Sequence, residues 1–537
     1  MFNRLKSILI LFASITMLWS CEKDLDLQPE DNRSSAEATF QDPDSYKQFL
    51  AKLYAGLAIS GQDGPAGNPD LVGLDEGFSQ YLRLYWKMQE LTTDEAVIGW
   101  NDGTIKDLHS QTWTSGNEFI RTMYSRIMYQ VAQANEFLRQ TTPEKLDARG
   151  VDSSLRSDIE KYRAEARFLR ALSYWHALDL FGNPPFVTEE DPIGAYLPEQ
   201  IQREELFAYL EGELLDIEST IVAANQNEYG RADQAAVWML LAKLYQNAEV
   251  YTGTPRSADV INYTSKIIES GAYSLVDDYQ KLFLADNNTN GAQEEIIFPI
   301  AFDGINTQAY GGMTFIIHAA VGGDMEPDDF GINGGWAGLR TTSALVNKFL
   351  DDNDDPIEEV EDERAMFFTE GQSKEIDDIS SFNDGYAVTK FKNVDTEGNP
   401  GSDPTGDFPD TDFPMFRLAD VYLMYAEATV RGGGGSDAKA VSYINDLRER
   451  AYGDDSANIT ESDLTLDFII DERARELYWE AHRRTDLIRF NLFSENGIWP
   501  YKGGVPQGAT TEGYRDLMPI PASDLGVNTN LNQNTGY

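Results

Sequence analysis

Cysteine and histidine are scarce in this chain. Its 537 residues include one cysteine, Cys21, and four histidines. A single cysteine excludes a disulfide within the chain, and no two of the histidines stand at the spacing of a metal site. The sequence therefore offers neither a disulfide framework nor a cysteine–histidine metal centre.

Positive charge is scarce as well. The sequence has 43 Lys and Arg residues against 90 Asp and Glu residues, which gives a net charge of −47. A surface this acidic repels phosphate backbones and anionic lipid, so we expect no nucleic-acid partner. The charge suits a neutral ligand or work in salty water, and solubility alone is the alternative explanation.

Sequence motifs of catalysis are missing. We find no G-x-S-x-G, P-loop or H-E-x-x-H pattern in the sequence. Among so many acidic residues a glycosidase-type carboxylate pair can always be imagined, and the sequence singles out none. We therefore expect a protein that is not an enzyme, with a surface glycoside hydrolase as the alternative.

The N-terminus has the pattern of a secretory signal. In MFNRLKSILILFASITMLWSC, the basic residues Arg4 and Lys6 precede an apolar run that is too short to span a bilayer as a mature helix. The run ends in Leu-Trp-Ser-Cys, which resembles a bacterial lipobox with Cys21 as the acylated residue. We predict a lipoprotein signal peptide over residues 1–20 and a lipidated, flexible tether over residues 21–40.

Apolar residues at three- and four-residue steps predict helices elsewhere in the chain. The pattern Trp238-x2-Leu241-Ala242-x2-Tyr245 matches the opening of a tetratricopeptide helix, and we expect Trp238 to lie in the packed core. Four glycines at 432–435 have the character of a hairpin turn. The sequence thus predicts a mostly α fold of stacked, tetratricopeptide-like helix pairs. The predicted helices cover residues 163–186, 231–251, 416–430, 437–451 and 467–490.

Two long segments differ in texture from the helices. Residues 61–117 and 271–415 are rich in Gly, Asn, Asp and Pro, yet they carry many aromatic residues, which argues against disorder. We predict that these loop-rich insertions form the ligand-binding surface of a single domain over residues 41–537. The aromatic residues of these segments are Trp86, Trp100, Trp113, Tyr310, Phe315, Phe330 and Trp336.

Some of these aromatic residues stand in turns rather than in periodic runs. Trp100 lies in EAVIGWNDGT, Tyr310 in AYGGMTF and Trp336 in NGGWAGLR, each beside glycines that leave a ring open to approach. A sugar ring has an apolar face that stacks on an aromatic ring and a rim of hydroxyls that needs planar donors and acceptors. We expect exposed platforms for a glycan, and rings that fill the core are the alternative.

One stretch has the beginning of a calcium loop. In ADNNTNGAQEE, Asp286, Asn288 and Asn290 stand at alternate positions before Gly291, but Ile297 occupies the place of the closing Glu. Calcium and a plain Asn/Asp turn both remain open, and we expect no other cofactor.

Four motifs together identify a resemblance. RAEARFLRALSYWHALDLFG, FPMFRLADVYLMYAEA, ERARELYWEAHRRTDLIRF and MPIPASDLGVNTNLNQNTGY resemble the SusD/RagB family of surface lipoproteins, over essentially the whole mature chain. Ala481 departs from the usual Gly and Thr535 from the common Pro. The resemblance implies a helical fold on tetratricopeptide-like units and a lipid anchor in the outer membrane that faces the exterior. It also implies a TonB-dependent (SusC-like) transporter as partner, and glycan capture without catalysis.

Within the family, the sequence resembles the starch-binding founding member. This resemblance implies an aromatic arc of Trp100, Tyr310 and Trp336, with hydrogen bonds to sugar hydroxyls from Asp75 and Arg83. It also implies a further contact from Asn101 or Asp102, although this sequence departs from the relative at Gly103, which stands where the relative has its sugar-binding Asn. The implied cargo is a starch-like α-glucan; a laminarin-type β-glucan, dextran or a peptide remain alternatives.

Overall fold

The computed structural model describes residues 36–71, 73–353 and 355–537. The signal peptide predicted over residues 1–20 and the lipidation site at Cys21 lie outside these residues. Helices dominate the described part of the chain, so the predicted mostly α fold is confirmed. None of the helices found there combines the length and the apolar character needed to cross a bilayer.

The α-helices of the described residues are α1 (Ala36–Thr39), α2 (Ser45–Ala58), α3 (Tyr81–Gln89), α4 (Lys106–Ser110), α5 (Glu118–Gln140), α6 (Pro143–Ala148), α7 (Ser153–Phe181), α8 (Arg203–Ile217), α9 (Gln234–Gln246), α10 (Ala248–Thr252), α11 (Ser257–Ser270), α12 (Gly312–Ala319), α13 (Ser343–Val346), α14 (Leu418–Val430), α15 (Asp437–Tyr452), α16 (Leu466–Leu477), α17 (Arg483–Arg489) and α18 (Ala522–Val527). The strands are β1 (Val97–Ile98), β2 (Ile296–Ile300), β3 (Leu339–Arg340), β4 (Phe367–Phe368), β5 (Ala387–Val388) and β6 (Phe413–Arg417). They form three two-stranded antiparallel sheets, β1 with β3, β2 with β6 and β4 with β5.

The long helices pack as a continuous stack. Helix α5 packs on α7, α7 on α8, α9 on α11, α11 on α14 and α14 on α15. Two of these pairs, α7 with α8 and α14 with α15, are consecutive along the chain, as in helical hairpins, and the glycines at 432–435 connect α14 to α15 as predicted. The predicted stack of helix pairs is therefore present.

Local sequence accounts for the limits of these helices. Helix α7 begins after Asp152, whose carboxylate accepts hydrogen bonds from the backbone N–H groups of Ser154 and Leu155. It ends at Gly182, which adopts a φ of 71° that favours glycine. Its predicted apolar face is buried, so the three-to-four-residue period correctly located the core.

Two expectations are wrong, one about the packing of Trp238 and one about the end of the tether. Trp238 is only half-buried, because it lies at the edge of α9 and its indole Nε1 donates to Glu218 Oε1 at 2.7 Å. Residues 36–40, predicted as the end of a flexible tether, form α1 and then bury Phe40 against Tyr46. Residues 36–40 therefore belong to the folded domain and not to the tether.

The helix predicted over residues 467–490 is interrupted. Trp479 and Ala481 have φ values of 64° and 63°, which separate α16 from α17. The indole of Trp479 is buried at 5.2 Å from the ring of Trp86, and its Nε1 donates to the carbonyl of Glu95 at 3.2 Å. Ala481 thus holds a left-handed conformation that glycine adopts more readily.

The two loop-rich segments contain more buried structure than expected. Helix α3 lies inside the first segment and is buried along its whole length. Trp86, Trp113, Phe315 and Phe330 are buried as well, so these rings belong to the core and not to a binding surface. The predicted ligand-binding surface therefore does not include these four rings.

The second segment is rooted on a sheet. Strands β2 and β6 pair with Ile296 opposite Arg417 and Ile300 opposite Phe413, so the chain between them leaves and returns at the same place. Charged residues close this root. Arg417 contacts Glu295 at 3.0 Å, Glu476 at 2.6 Å and Glu480 at 2.6 Å, and all four side chains are buried.

We predict that Arg417→Met lowers the free energy of unfolding by roughly 3–5 kcal/mol, because it leaves buried carboxylates without their cation. Urea unfolding followed by circular dichroism measures the change. Lys47→Met is the matched control, since Lys47 and Glu228 form an exposed pair that contributes less than about 1 kcal/mol. Equal losses in the two variants would contradict a special role for the buried cluster.

Acid should weaken the same cluster. Burial acts to raise the pKa of Glu476, but Arg450 and Arg417 outweigh it and lower the pKa to about 2. This contribution to stability is complete above the unfolded pKa near 4.5 and is lost as the pH falls through the folded pKa. We expect the urea midpoint to fall between pH 5 and pH 3 by a smaller amount in Glu476→Gln than in the unmodified protein; an identical pH dependence would argue against this assignment.

Candidate functional site

A short ladder brings the two loop-rich segments together. Strand β1 pairs with β3 in antiparallel register, and Gly99 N–H donates to the carbonyl of Gly338 at 3.0 Å. Trp100 follows β1 by two residues and Trp336 precedes β3 by three. Because the end of one antiparallel strand lies beside the start of its partner, both tryptophans reach the same end of the ladder.

An open cleft of about 800 Å³ lies at this end of the ladder. All seven residues that the sequence analysis assigned to ligand binding line it, so the fold brings the complete predicted set together. That they bind a ligand remains a prediction. The lining residues are Ala66, Gly67, Pro69, Asp75, Glu76, Gly77, Phe78, Arg83, Trp100, Asn101, Asp102, Tyr310 and Trp336.

The predicted aromatic residues present half-buried rings to the cleft. The centroids of Trp100 and Trp336 are 6.3 Å apart, with ring planes at 44°. Trp100 Nε1 donates to the carbonyl of Trp336 at 3.2 Å, which fixes one ring against the backbone of the other. Tyr310 lines the same cleft. The tilted tryptophan planes make a bent surface and not a flat one.

Glycines allow the close approaches that this surface needs. A Cβ atom on Gly338 would lie 2.4 Å from the Trp100 ring, and one on Gly77 would lie 2.8 Å from Tyr310. Any larger residue would displace a ring or the backbone that carries it. The glycines beside the aromatic residues thus also serve packing, and not only ligand access.

Arg83 lies under the cleft between two rings. Its guanidinium is 4.2 Å from the ring centre of Phe78 and 4.3 Å from that of Phe315, and Nη1 donates to the carbonyl of Tyr310 at 2.7 Å. Burial lowers the pKa of Arg83 to about 9, while Asp75 and Asp102 act to raise it. The group stays cationic at neutral pH and offers a planar set of donors. Within the described residues, no carboxylate lies within ion-pair distance of it.

Lys87 follows Arg83 by one helical turn and was missed by the sequence analysis. Its amine is buried and lies 4.4 Å from the ring centre of Phe119 and 4.8 Å from that of Phe78. Burial holds its pKa well below the usual value, and Arg83 adds to this effect. The amine does not line the cleft, and it packs against Phe78 and Phe315, the two rings that Arg83 also contacts. The only indication of Lys87 in the sequence was its position four residues after Arg83, which places both residues on the same face of α3.

The rim of the cleft is polar and acidic. Asp75 is exposed, and its Oδ1 accepts a hydrogen bond from Phe78 N–H at 3.0 Å. Asn101 and Asp102 are exposed in the turn that carries Trp100. Glu76, which sequence reasoning did not select, accepts a hydrogen bond from the Ser60 hydroxyl at 2.9 Å, and burial raises its pKa. The rim thus offers acceptors to a hydroxylated ligand, with Arg83 as the donor below.

A compact loop forms one wall. Residues 61–70 start and end at a hydrogen bond from Asp70 N–H to the carbonyl of Ser60, at 2.8 Å. The buried Arg126 holds this base, since its Nη2 donates to the same carbonyl at 2.7 Å. The sequence marked this segment as loop-rich, but nothing in it indicated that Ala66, Gly67 and Pro69 line the cleft.

The residues of the suggested calcium loop lie elsewhere. Asp286 Oδ1 accepts a hydrogen bond from Asn290 Nδ2 at 2.9 Å, and Oδ2 accepts one from the Thr396 hydroxyl at 2.8 Å, while Asn288 is exposed. These bonds are those of a hydrogen-bonded turn, and the described residues contain no cluster of three or more His, Cys, Asp or Glu that could hold a metal. Calcium there remains a prediction.

A second cavity of about 600 Å³ has a different character. Its lining is largely apolar and includes Leu71, Met128, Leu197, Val527 and Leu531. It presents no tryptophan and no cationic side chain. We therefore take the first cleft as the candidate functional site.

The contact between Gly338 and Trp100 gives a prediction. Gly338→Ala should push the Trp100 indole away from its present position, because the new methyl group would overlap the ring. Gly334→Ala is the matched control in the same turn, since a Cβ atom there meets nothing within 4 Å. Crystal structures of the two variants measure the ring position. A Trp100 ring that stays 6.3 Å from Trp336 in Gly338→Ala would contradict the packing role of this glycine.

Both the sequence and the fold have relatives among known proteins. A sequence profile of the SusD family matches residues 367–537. The starch-binding protein SusD of Bacteroides thetaiotaomicron is 37% identical over 572 aligned residues, which cover 99% of this chain and 97% of the relative. The SusD-like protein P25 of Formosa agariphila is 25% identical over 582 residues, covering 99% of this chain and all of the relative (100%).

Solved structures show the same fold. A SusD homologue from Bacteroides thetaiotaomicron has a TM-score of 0.71 at 20% identity, over 95% of this chain and 100% of that one. Surface glycan-binding protein A from the same organism, in complex with laminarihexaose, has a TM-score of 0.66 at 19% identity, over 91% of this chain and 98% of that one. Together with the 37% identical relative, which spans nearly the whole sequence, these findings show that the chain belongs to the SusD/RagB family.

Proposed function

We propose that this protein is a cell-surface lipoprotein that captures starch-like α-glucan oligosaccharides in the cleft and delivers them to a TonB-dependent transporter of the outer membrane. The observation that carries the proposal is the bent aromatic surface of Trp100, Trp336 and Tyr310 above a buried arginine. A relative with 37% identity is a starch-binding protein, which supports the choice of cargo.

The rings suit a sugar in both energy and shape. A tryptophan side chain has a surface of about 200 Å², and a sugar ring that stacks on it buries about half of that surface. At about 25 cal/mol per Å², this burial contributes roughly 2.5 kcal/mol to the binding free energy, before the cost of ordering the ligand is subtracted. Two or three such platforms give weak to moderate affinity, which suits capture and release. The angle of 44° between the tryptophan planes matches a helical α-1,4-glucan better than a flat β-1,4 chain.

The polar groups suit a neutral, hydroxylated ligand. Arg83 offers donors from below, and Asp75, Asn101 and Asp102 offer exposed side-chain acceptors at the rim. The net charge of −47 repels anionic ligands but leaves a neutral glucan unaffected.

We further propose that the protein binds its glycan without cleaving it. Glu76 is held by Ser60, and Asp75 caps the turn at Phe78, so both carboxylates have positions in the local structure. Prolonged incubation with maltoheptaose should release no new reducing ends. Steady release of reducing ends would instead support the glycoside hydrolase.

A laminarin-type β-glucan is the second candidate cargo. It is favoured by one observation, the bound laminarihexaose in a structure of the same fold. That likeness is of fold alone, so we rank this cargo below the α-glucan.

We propose that Cys21 carries the lipid anchor and that the protein faces the cell exterior. The sequence of residues 18–21 supports this assignment. Cys21→Ala should move the protein from the membrane fraction to the soluble fraction. Affinity purification of the unmodified lipoprotein should recover a TonB-dependent transporter, and its absence would count against the delivery role.

Trp100→Ala should weaken binding of maltoheptaose at least tenfold, or about 1.4 kcal/mol, because it removes one platform. Isothermal titration calorimetry measures this, with a cyclic maltooligosaccharide and laminarin oligosaccharides as further ligands. Trp238→Ala is the matched control, since this half-buried tryptophan lies outside the cleft and its loss should leave the dissociation constant unchanged.

The outcomes separate the candidates. Binding of α-glucans by the unmodified protein and its loss in Trp100→Ala support the proposed cargo. Binding of laminarin oligosaccharides alone supports the second candidate. An unchanged affinity for α-glucans in Trp100→Ala would refute the role given to the aromatic surface.

A further inference from the structure

Two of the cleft's aromatic platforms are backed by the same short loop. Residues 403–408, here named the support loop, place Phe408 5.2 Å from the ring centre of Tyr310. On the other side, the carbonyl of Asp407 lies 3.0 Å from Nε2 of His318. The ring of His318 stacks on Trp336 at 4.8 Å and 26°. Tyr310 and Trp336 are thus connected through one element that does not itself line the cleft.

His318 holds both ends of the turn that carries Trp336. Its carbonyl accepts a hydrogen bond from Trp336 N–H at 2.7 Å, and its ring Nδ1 lies 2.7 Å from the carbonyl of Gly334. The side chain is fully buried, so water does not compete for these contacts. One residue therefore sets the height and the tilt of the Trp336 platform.

The support loop has its own organising residue. Asp403 Oδ2 accepts hydrogen bonds from the backbone N–H groups of Asp407 and Phe408, each at 3.0 Å, and from the Thr405 hydroxyl at 2.7 Å. A carboxylate that accepts several donors in this way fixes the conformation of a loop. The positions of Phe408 and of the Asp407 carbonyl therefore depend on Asp403.

Asn333 joins the support loop to the turn of Trp336. Its Nδ2 donates to the carbonyl of Thr405 at 2.9 Å and to Asp407 Oδ1 at 2.8 Å. Its backbone N–H donates to the carbonyl of Gly406 at 3.1 Å. The turn and the loop thus share contacts from both main chain and side chain, and a shift of one is transmitted to the other.

We propose that His318 is a positioning residue of the cleft, which together with Asp403 sets the separation of Trp336 and Tyr310 through the support loop. The proposal rests on the proposed function, because the separation matters only to a ligand that stacks on both rings. Neither residue touches the ligand, and both act through the rings that do.

Hydrogen exchange followed by mass spectrometry tests the coupling without any ligand. His318→Phe retains an aromatic ring against Trp336 but removes both ring contacts to carbonyl oxygens. We expect amide exchange to accelerate at least tenfold both in residues 333–338 and in residues 403–408. His109→Phe, at another buried histidine outside the cleft, should leave both segments unchanged.

Asp403→Ala is the second variant, and it keeps the test decisive if His318→Phe does not fold. It should accelerate exchange in the same two segments, although the substitution lies in only one of them. Acceleration confined to the substituted residue's own segment, or in neither segment, would overturn the proposal.

A binding cycle tests the consequence for the ligand. With the glycan that the unmodified protein binds, whether maltoheptaose or a laminarin oligosaccharide, each variant should raise the dissociation constant about tenfold. The double variant should stay well below the hundredfold product, because both changes act through one loop. A full product would show independent effects and overturn the proposal. Absence of binding in the unmodified protein would refute the proposed function alone, and hydrogen exchange would still decide the role of His318.

Discussion

The buried ion cluster around Glu476 is the constraint on which the rest of the molecule depends. Its carboxylate contacts Arg364, Arg417 and Arg450, at 3.2, 2.6 and 2.5 Å. Buried charges are costly to remove from water, and they are tolerated only when their partners are complete. The cluster therefore permits one arrangement, in which α16 faces both strands at the root of the second insertion. This fixes where the insertion leaves the helical stack.

Because β2 and β6 fix both ends of the second insertion, the chain between them does not need regular secondary structure. Between β2 and β6 the chain forms few regular elements, yet it returns to the first insertion through the two-residue ladder of β1 and β3. That ladder is too short to be stable alone, so it depends on the scaffold to bring its strands together. The cleft thus forms where two loop segments meet, and the helices contribute to it chiefly through α3.

The cleft separates its charges by depth. Arg83 and Lys87 lie below the surface among aromatic rings, whereas Asp75 and Asp102 lie at the exposed rim. Trp336 stacks on His318, Tyr310 packs against Phe408, and Trp100 donates its indole N–H to the carbonyl of Trp336, so none of these rings can turn without losing a contact. The platforms are therefore held in place before a ligand arrives, which reduces the ordering cost of binding.

Sequence alone determined the features that depend on near neighbours. The period of α7, the glycine turn before α15 and the placement of Trp100, Tyr310 and Trp336 beside Gly and Asn all follow from local geometry, and the motifs identified the family. Trp86 and Trp113 stand in the same loop-rich segment as Trp100, yet they are buried. The break at Trp479, the burial of Phe40 and the partial exposure of Trp238 were likewise unpredictable. Each depends on a partner distant in sequence, since only the tertiary structure decides which side chains cover a ring and which backbone groups bond across the fold.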